Sequence, residues 1–107
     1  MNKYIRLLTI VTIFCFSSSG YSHDLKTAIS SKERTPSYVL RDSYRNPYET
    51  LTFFEIKPDM RVVELSPGGG WYTEILANYL HEPGLLIAAN FDKNSDRAYF
   101  KNSRAAY

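Results

Sequence analysis

Residues 61–70, RVVELSPGGG, constrain the fold more than any other stretch of the chain. Arg61, Val62, Val63, Glu64 and Leu65 form a β-branched run that reads as a buried strand. Ser66, Pro67 and the glycines at 68, 69 and 70 then end it abruptly, because neither proline nor a glycine triplet continues a regular element cheaply. Directly afterwards Tyr72, Ile75, Leu76, Tyr79 and Leu80 recur at the spacing of one helical face, which predicts a helix over 71–81. Pro83 and Gly84 break it. Leu85, Leu86, Ile87, Ala88 and Ala89 predict a second apolar strand. A strand, a tight turn, a helix and a strand make one βαβ unit, which requires parallel pairing through a right-handed crossover. The predicted fold class is therefore α/β.

The residues before this unit read as helical. Leu25, Ala28 and Ile29 share a face within 24–34, with Asp24 as N-cap and Pro36 as the stop. Residues 37–45 are a weaker helix or a turn, since tyrosine and valine dilute helix propensity. Asn46 then offers a cap, Pro47 fills the first helical position and Glu49 stands three residues after the cap. Leu51 and Phe54 extend that helix, which stops before a turn at Pro58 and Asp59. Residues 96–107 begin a further helix.

The N-terminus reads as an address. Lys3 and Arg6 precede an apolar run at 7–16, and small residues follow, so residues 1–22 are predicted to be a Sec-type signal peptide cleaved near Ser22. Ten apolar residues are too few for the roughly 20 that span a bilayer, so no stable membrane span is expected after cleavage. Phe14 is too bulky before Cys15 for a lipoprotein site. The expected location is periplasmic or secreted. The expected organisation is a signal at 1–22, a helical segment at 23–57 and a βαβ unit at 58–107.

Charge and cysteine content narrow the chemistry. The chain has 13 basic and 11 acidic residues, and removing Lys3 and Arg6 leaves 11 of each. A formally neutral mature chain gives no electrostatic case for nucleic acid or anionic lipid. The one cysteine lies in the signal, so no disulfide or thiolate chemistry is expected. His23 and His81 are too few and too far apart for a zinc site, and no metal is expected.

The glycine turn is the chemically informative feature. A strand that ends in glycines and enters a helix at once gathers bare backbone N–H groups and the positive end of the helix at one place. Such a turn at the carboxyl edge of a parallel sheet suits a nucleotide-like or carboxylate-bearing ligand. The plainer reading is a tight turn with no ligand. A P-loop is excluded because no lysine follows the glycines. In a dinucleotide fingerprint Gly68 and Gly70 would take the first two places, but the third falls on Thr73.

What remains resembles class I S-adenosylmethionine-dependent methyltransferases, whose first motif is an apolar strand, an acid and then G-x-G-x-G. Glu64-Leu65-Ser66-Pro67-Gly68-Gly69-Gly70 matches it, with Ser66 in place of the first glycine. VVELSPGGGWYTEIL, with the upstream RDSYRNPYETLTFFEIKP, is similar more narrowly to an exported "predicted methyltransferase" family of bacteria. The likeness covers roughly 38–92.

That resemblance implies a Rossmann-like doubly wound sheet with S-adenosylmethionine as cofactor. It implies that Gly68 and Gly70, with Gly69 and Ser66 in the same turn, lie under the methionine part. Glu64 would orient the turn or accept from the cofactor's amino group. Asn90 stands where the family's ribose-binding acid is expected, and Asp92, two residues on, would share its face in an extended strand. The fold it implies has more strands than the two read here. The chain is therefore expected to be an N-terminal, cofactor-binding fragment, inactive alone and completed by a missing C-terminal portion or a partner chain.

Asp42 and Arg45 belong to a charged group, Arg41, Asp42, Arg45 and Glu49, that in such a fold would cover the site. They read either as contacts to substrate or cofactor, or as a local ion pair on a solvated helix. Trp71 and Tyr72 read as pocket walls or as helix–sheet packing. Tyr38, Tyr44 and Tyr48 read as packing. Catalytic residues are not identifiable. Two functions stay open: an S-adenosylmethionine-dependent methyltransferase, and a non-catalytic exported module that binds a nucleotide or small molecule, or is purely structural.

Overall fold

A computed structural model describes residues 24–107. The signal-peptide expectation, with its cleavage near Ser22, lies outside the described residues, as does His23. The elements run α1 (Leu25–Ile29), α2 (Pro36–Val39), α3 (Asp42–Arg45), α4 (Pro47–Phe53), β1 (Arg61–Leu65), α5 (Trp71–Tyr79), β2 (Leu85–Ala89) and α6 (Ala98–Ala105). The fold is mixed α/β. As the βαβ reading requires, β1 and β2 pair in parallel, with Arg61 opposite Leu85 and Leu65 opposite Ala89.

The first helices are shorter than the sequence suggests. Asp24 does cap α1, its carboxylate accepting from the Thr27 N–H at 3.3 Å. The helix nevertheless ends at Ile29, not at 34, and Pro36 opens α2 instead of closing α1. Proline's fixed φ and missing N–H suit a first helical position better than a stop. Asn46 takes a left-handed conformation (φ 45°), ends α3 and starts α4, and makes no side-chain cap. Helix α5 stops at Tyr79, so His81 lies beyond it, its N–H donating to the Pro58 carbonyl at 2.9 Å.

One core ties the helical segment to the βαβ unit. Leu25 and Ala28 of α1, Leu51 of α4, and Trp71, Ile75, Leu76 and Tyr79 of α5 are buried together. Ile75 is completely enclosed. A buried isoleucine contributes roughly 1.5–3 kcal/mol. Val62 and Leu86 on the inner face of the sheet pack against this cluster.

The expectation that residues 61–65 form a buried strand needs correction. Burial alternates along both strands. Val63, Leu65, Leu85 and Ile87 point away from the core and are exposed, Leu65 by 76%. Among the described residues the helices cover the sheet on one side only, so period-2 alternation replaces burial on both faces. No helix among the described residues is long and apolar enough to cross a membrane.

Candidate functional site

The carboxyl ends of β1 and β2 carry the glycine turn. Ser66 leaves β1 with a left-handed backbone (φ 52°). Its N–H donates to the Ala89 carbonyl at 3.0 Å, which closes the ladder between the strands. A serine with positive φ is strained by roughly 1–2 kcal/mol. Ser66→Gly is therefore expected to raise stability by about 1 kcal/mol, or about 4–8 °C in Tm for a domain of this size. A thermal melt of the two chains checks this, and an unchanged or lower Tm would contradict it.

The three glycines have three different reasons to be glycine. Gly68 has φ 61°, and a β-carbon built on it would meet nothing within 4 Å, so its main chain faces open space. Gly69 lies under the Tyr38 hydroxyl, which donates to the Gly69 carbonyl at 2.7 Å and fills the place of a side chain. Gly70 has φ 92°, and a β-carbon there would stand 3.6 Å from Thr73 and from the Tyr107 ring. Helix α5 starts at the next residue. Among the described residues no backbone carbonyl accepts the N–H groups of Trp71 and Tyr72, so these donors point out of the first turn as helix geometry requires.

Glu64 is half-buried on the inner face of β1, and its carboxylate accepts from the Thr73 hydroxyl at 2.6 Å. Thr73 is the position at which a dinucleotide fingerprint would place its third glycine, and here its side chain instead serves the strand-end acid. Burial pushes the Glu64 carboxyl above its ordinary value, and contacts with Thr73 partly oppose the rise. A carboxyl raised on folding stabilises the fold below its unfolded pKa, and that contribution is lost as pH rises through the folded pKa. Glu64→Gln keeps an acceptor for Thr73 and removes the charge. The variant is expected to be more stable than the parent at pH 7, with the advantage vanishing toward pH 4. Urea unfolding at both pH values checks this, and a constant difference would contradict it.

Residues 34–45 are pinned across the start of α5. The Thr35 N–H and hydroxyl donate to the Glu74 carboxylate at 2.9 and 2.5 Å. Trp71 donates its indole N–H to the Tyr38 carbonyl at 2.8 Å and is buried. Asp42 does not pair with Arg45. It accepts two bonds from the buried Arg34, at 2.6 and 2.9 Å. That engagement ties the Asp42 carboxylate to the turn ahead of α2. Arg45 instead lies over the rings of Trp71, 4.3 Å from the centroid, and Tyr72, at 5.2 Å. Trp71 therefore packs within the core while its ring face also holds Arg45. Half-buried Tyr72 lines a cleft of about 210 Å³ with Glu64, Phe54, Val62 and Val63.

A groove of about 310 Å³ runs beside the turn, lined by Gly69, Gly70, Thr73, Glu74, Ala77 and Tyr107. Asn90 and Asp92 line neither cavity. β2 ends at Ala89, so the extended strand that would set Asn90 and Asp92 on one face is missing. The Asn90 side-chain oxygen accepts from the Phe91 N–H at 2.8 Å, and the Asp92 carboxylate accepts from the Asn94 N–H at 2.9 Å. Both oxygens serve local turns.

Sequence reasoning missed Arg34, Thr35, Thr73 and Glu74. Only Thr73 carried a signal, as a small polar residue one turn into a helix that follows a strand-end acid. Among the described residues no three His, Cys, Asp or Glu side chains gather as metal ligands. Comparison of the chain with protein-family models, with curated proteins and with solved structures gave no match.

Proposed function

We propose that this chain binds S-adenosylmethionine at its glycine turn, as the cofactor-binding part of a Rossmann-like, class I methyltransferase fold. The observation that carries the reading is the bare main chain at Gly68. A positive-φ glycine with open space over it stands at the carboxyl ends of parallel strands and leads into a helix whose first N–H groups are open. Ligands of open α/β sheets bind at that place.

The residues present fit the group. Gly68 leaves room for a ligand against the backbone, and the Trp71 and Tyr72 N–H groups can donate to it. Glu64 can accept from an amino group without moving. Asn90 and Asp92 would have to give up their turn bonds to hold a ribose, unless the ribose takes the free amide of Asn90. Bound S-adenosylmethionine would supply an electrophilic methyl on sulfur. The chain's own residues bind and orient the cofactor in this reading, and none is assigned a part in the transfer.

The alternative is a non-catalytic module, favoured by the exposed apolar face at Val63, Leu65, Leu85 and Ile87. Calorimetry of the chain with S-adenosylmethionine, and separately with NAD, divides these readings. Saturable heat with the first ligand and none with the second is expected. A Gly68→Val variant, which fills the open space, is expected to weaken binding at least tenfold. NAD binding in place of S-adenosylmethionine, or heat from neither, would overturn the proposal.

A further inference from the structure

Two guanidinium groups share the Trp71 ring, and they are used very differently. Arg34 lies 5.6 Å from the ring centroid with its side chain fully buried. Its terminal nitrogens donate to both Asp42 oxygens and to the Ile29 carbonyl. Arg45 lies closer, at 4.3 Å, and is also held by the Tyr72 ring. Among the described residues it has no carboxylate partner, because Asp42 is taken by Arg34 and Glu74 by Thr35.

The platform under Arg45 is rigid. Trp71 is 3% exposed and anchored through its indole N–H to Tyr38. Trp71 and Tyr72 meet edge to face at 4.5 Å. The Arg45 main chain is fixed as well, since its N–H donates to the Arg41 carbonyl at 3.0 Å. A guanidinium held over aromatic rings still offers N–H donors that can bind a carboxylate or phosphate through two parallel bonds. The two rings that hold Arg45 belong to the first two residues of α5, whose own N–H groups lack backbone acceptors.

We infer that Arg45 is an anion-binding residue, a preset fork on the Trp71–Tyr72 platform that takes the carboxylate of the ligand lying on the glycine turn. That the carboxylate belongs to the amino-acid end of S-adenosylmethionine rests on the cofactor reading above; the open fork itself does not. Lysine cannot replace it, because an ammonium neither stacks in a fixed plane nor donates two parallel bonds.

Trp71 is the only tryptophan of the chain, so its fluorescence reports on the fork directly. The full chain is titrated with S-adenosylhomocysteine and with 5′-methylthioadenosine, which lacks the amino-acid end. The first is expected to bind at least tenfold more tightly. Arg45→Met and Arg45→Lys are expected to abolish that preference while leaving the affinity for methylthioadenosine unchanged. Equal weakening of both ligands would show a packing role only and overturn the inference, as would a preference that survives in Arg45→Met. If neither nucleoside binds, the cofactor reading fails by itself, and acetate and inorganic phosphate then test the fork. A saturable change in Trp71 emission that Arg45→Met removes would sustain an anion site for another ligand. No change with either anion would overturn it.

Discussion

Replacing Asp42 with alanine is expected to cost about 3–5 kcal/mol of folding stability, the loss that follows when one partner of a buried ion pair is removed. The Arg34 side chain has no exposed surface and Asp42 retains 19%. Among the described residues its two bonds to Asp42, at 2.6 and 2.9 Å, are its only bonds to a negatively charged group, since the third goes to a neutral carbonyl. Without the carboxylate a guanidinium would remain in the protein with neither counter-ion nor water. Asp42→Asn retains one good acceptor and is expected to lose less. The double change Arg34→Met with Asp42→Leu removes both charges together and is expected to recover much of the loss. Urea unfolding followed through Trp71 measures all three. A cost below about 1 kcal/mol for Asp42→Ala would mean that the pair behaves as an exposed one.

Gly84→Ala is the second large effect. A β-carbon there would stand 2.5 Å from the Pro58 carbonyl oxygen, 2.8 Å from that of His81 and 3.0 Å from that of Met60. None of these is the tip of a flexible side chain. Each also holds a bond: His81 donates to Pro58, Gly84 to His81, and Leu85 to Met60 at 3.1 Å. The carbonyls cannot retreat without loosening the entry to both strands. Overpacking of this kind costs about 3 kcal/mol, which is about 12–24 °C in Tm for a domain of this size. Gly69→Ala is the informative comparison, because its β-carbon overlaps chiefly the Tyr38 hydroxyl, which can swing aside for the price of one hydrogen bond. The expected order of Tm is parent, then Gly69→Ala, then Gly84→Ala. A reversal would show that the turn at 81–84 adapts more readily than its backbone bonds suggest.

The parallel pair and the helix between its strands were legible because period, breakers and glycines agreed. Ile75 and Leu76 fell on one face, Pro83 and Gly84 ended the run, and the strands carried no competing signal. The upstream helices were less legible, because Pro36 and Asn46 each have two meanings. Proline both stops a helix and starts one, and asparagine both caps by its side chain and turns by a left-handed backbone. The partner of Asp42 was beyond the reach of local spacing. Arg45, three residues away, was the neighbour on a helix, but Arg34 reached Asp42 from a turn that only tertiary packing defines. The same holds for Glu74 and Thr35, which are far apart in sequence. Asn90 and Asp92 were placed by counting along a strand that ends one residue too early for the count to apply.

The half-covered sheet has a thermodynamic consequence. The heat capacity of unfolding and the denaturant slope both scale with the apolar surface newly wetted when the chain opens. Val63, Leu65, Leu85 and Ile87 are already partly wetted in the folded state, so they add less to either quantity than buried side chains would. The stability curve of this chain is therefore flatter with temperature than the roughly 12–15 cal/mol/K per residue of ordinary domains would make it, and whatever covers those four side chains would sharpen it.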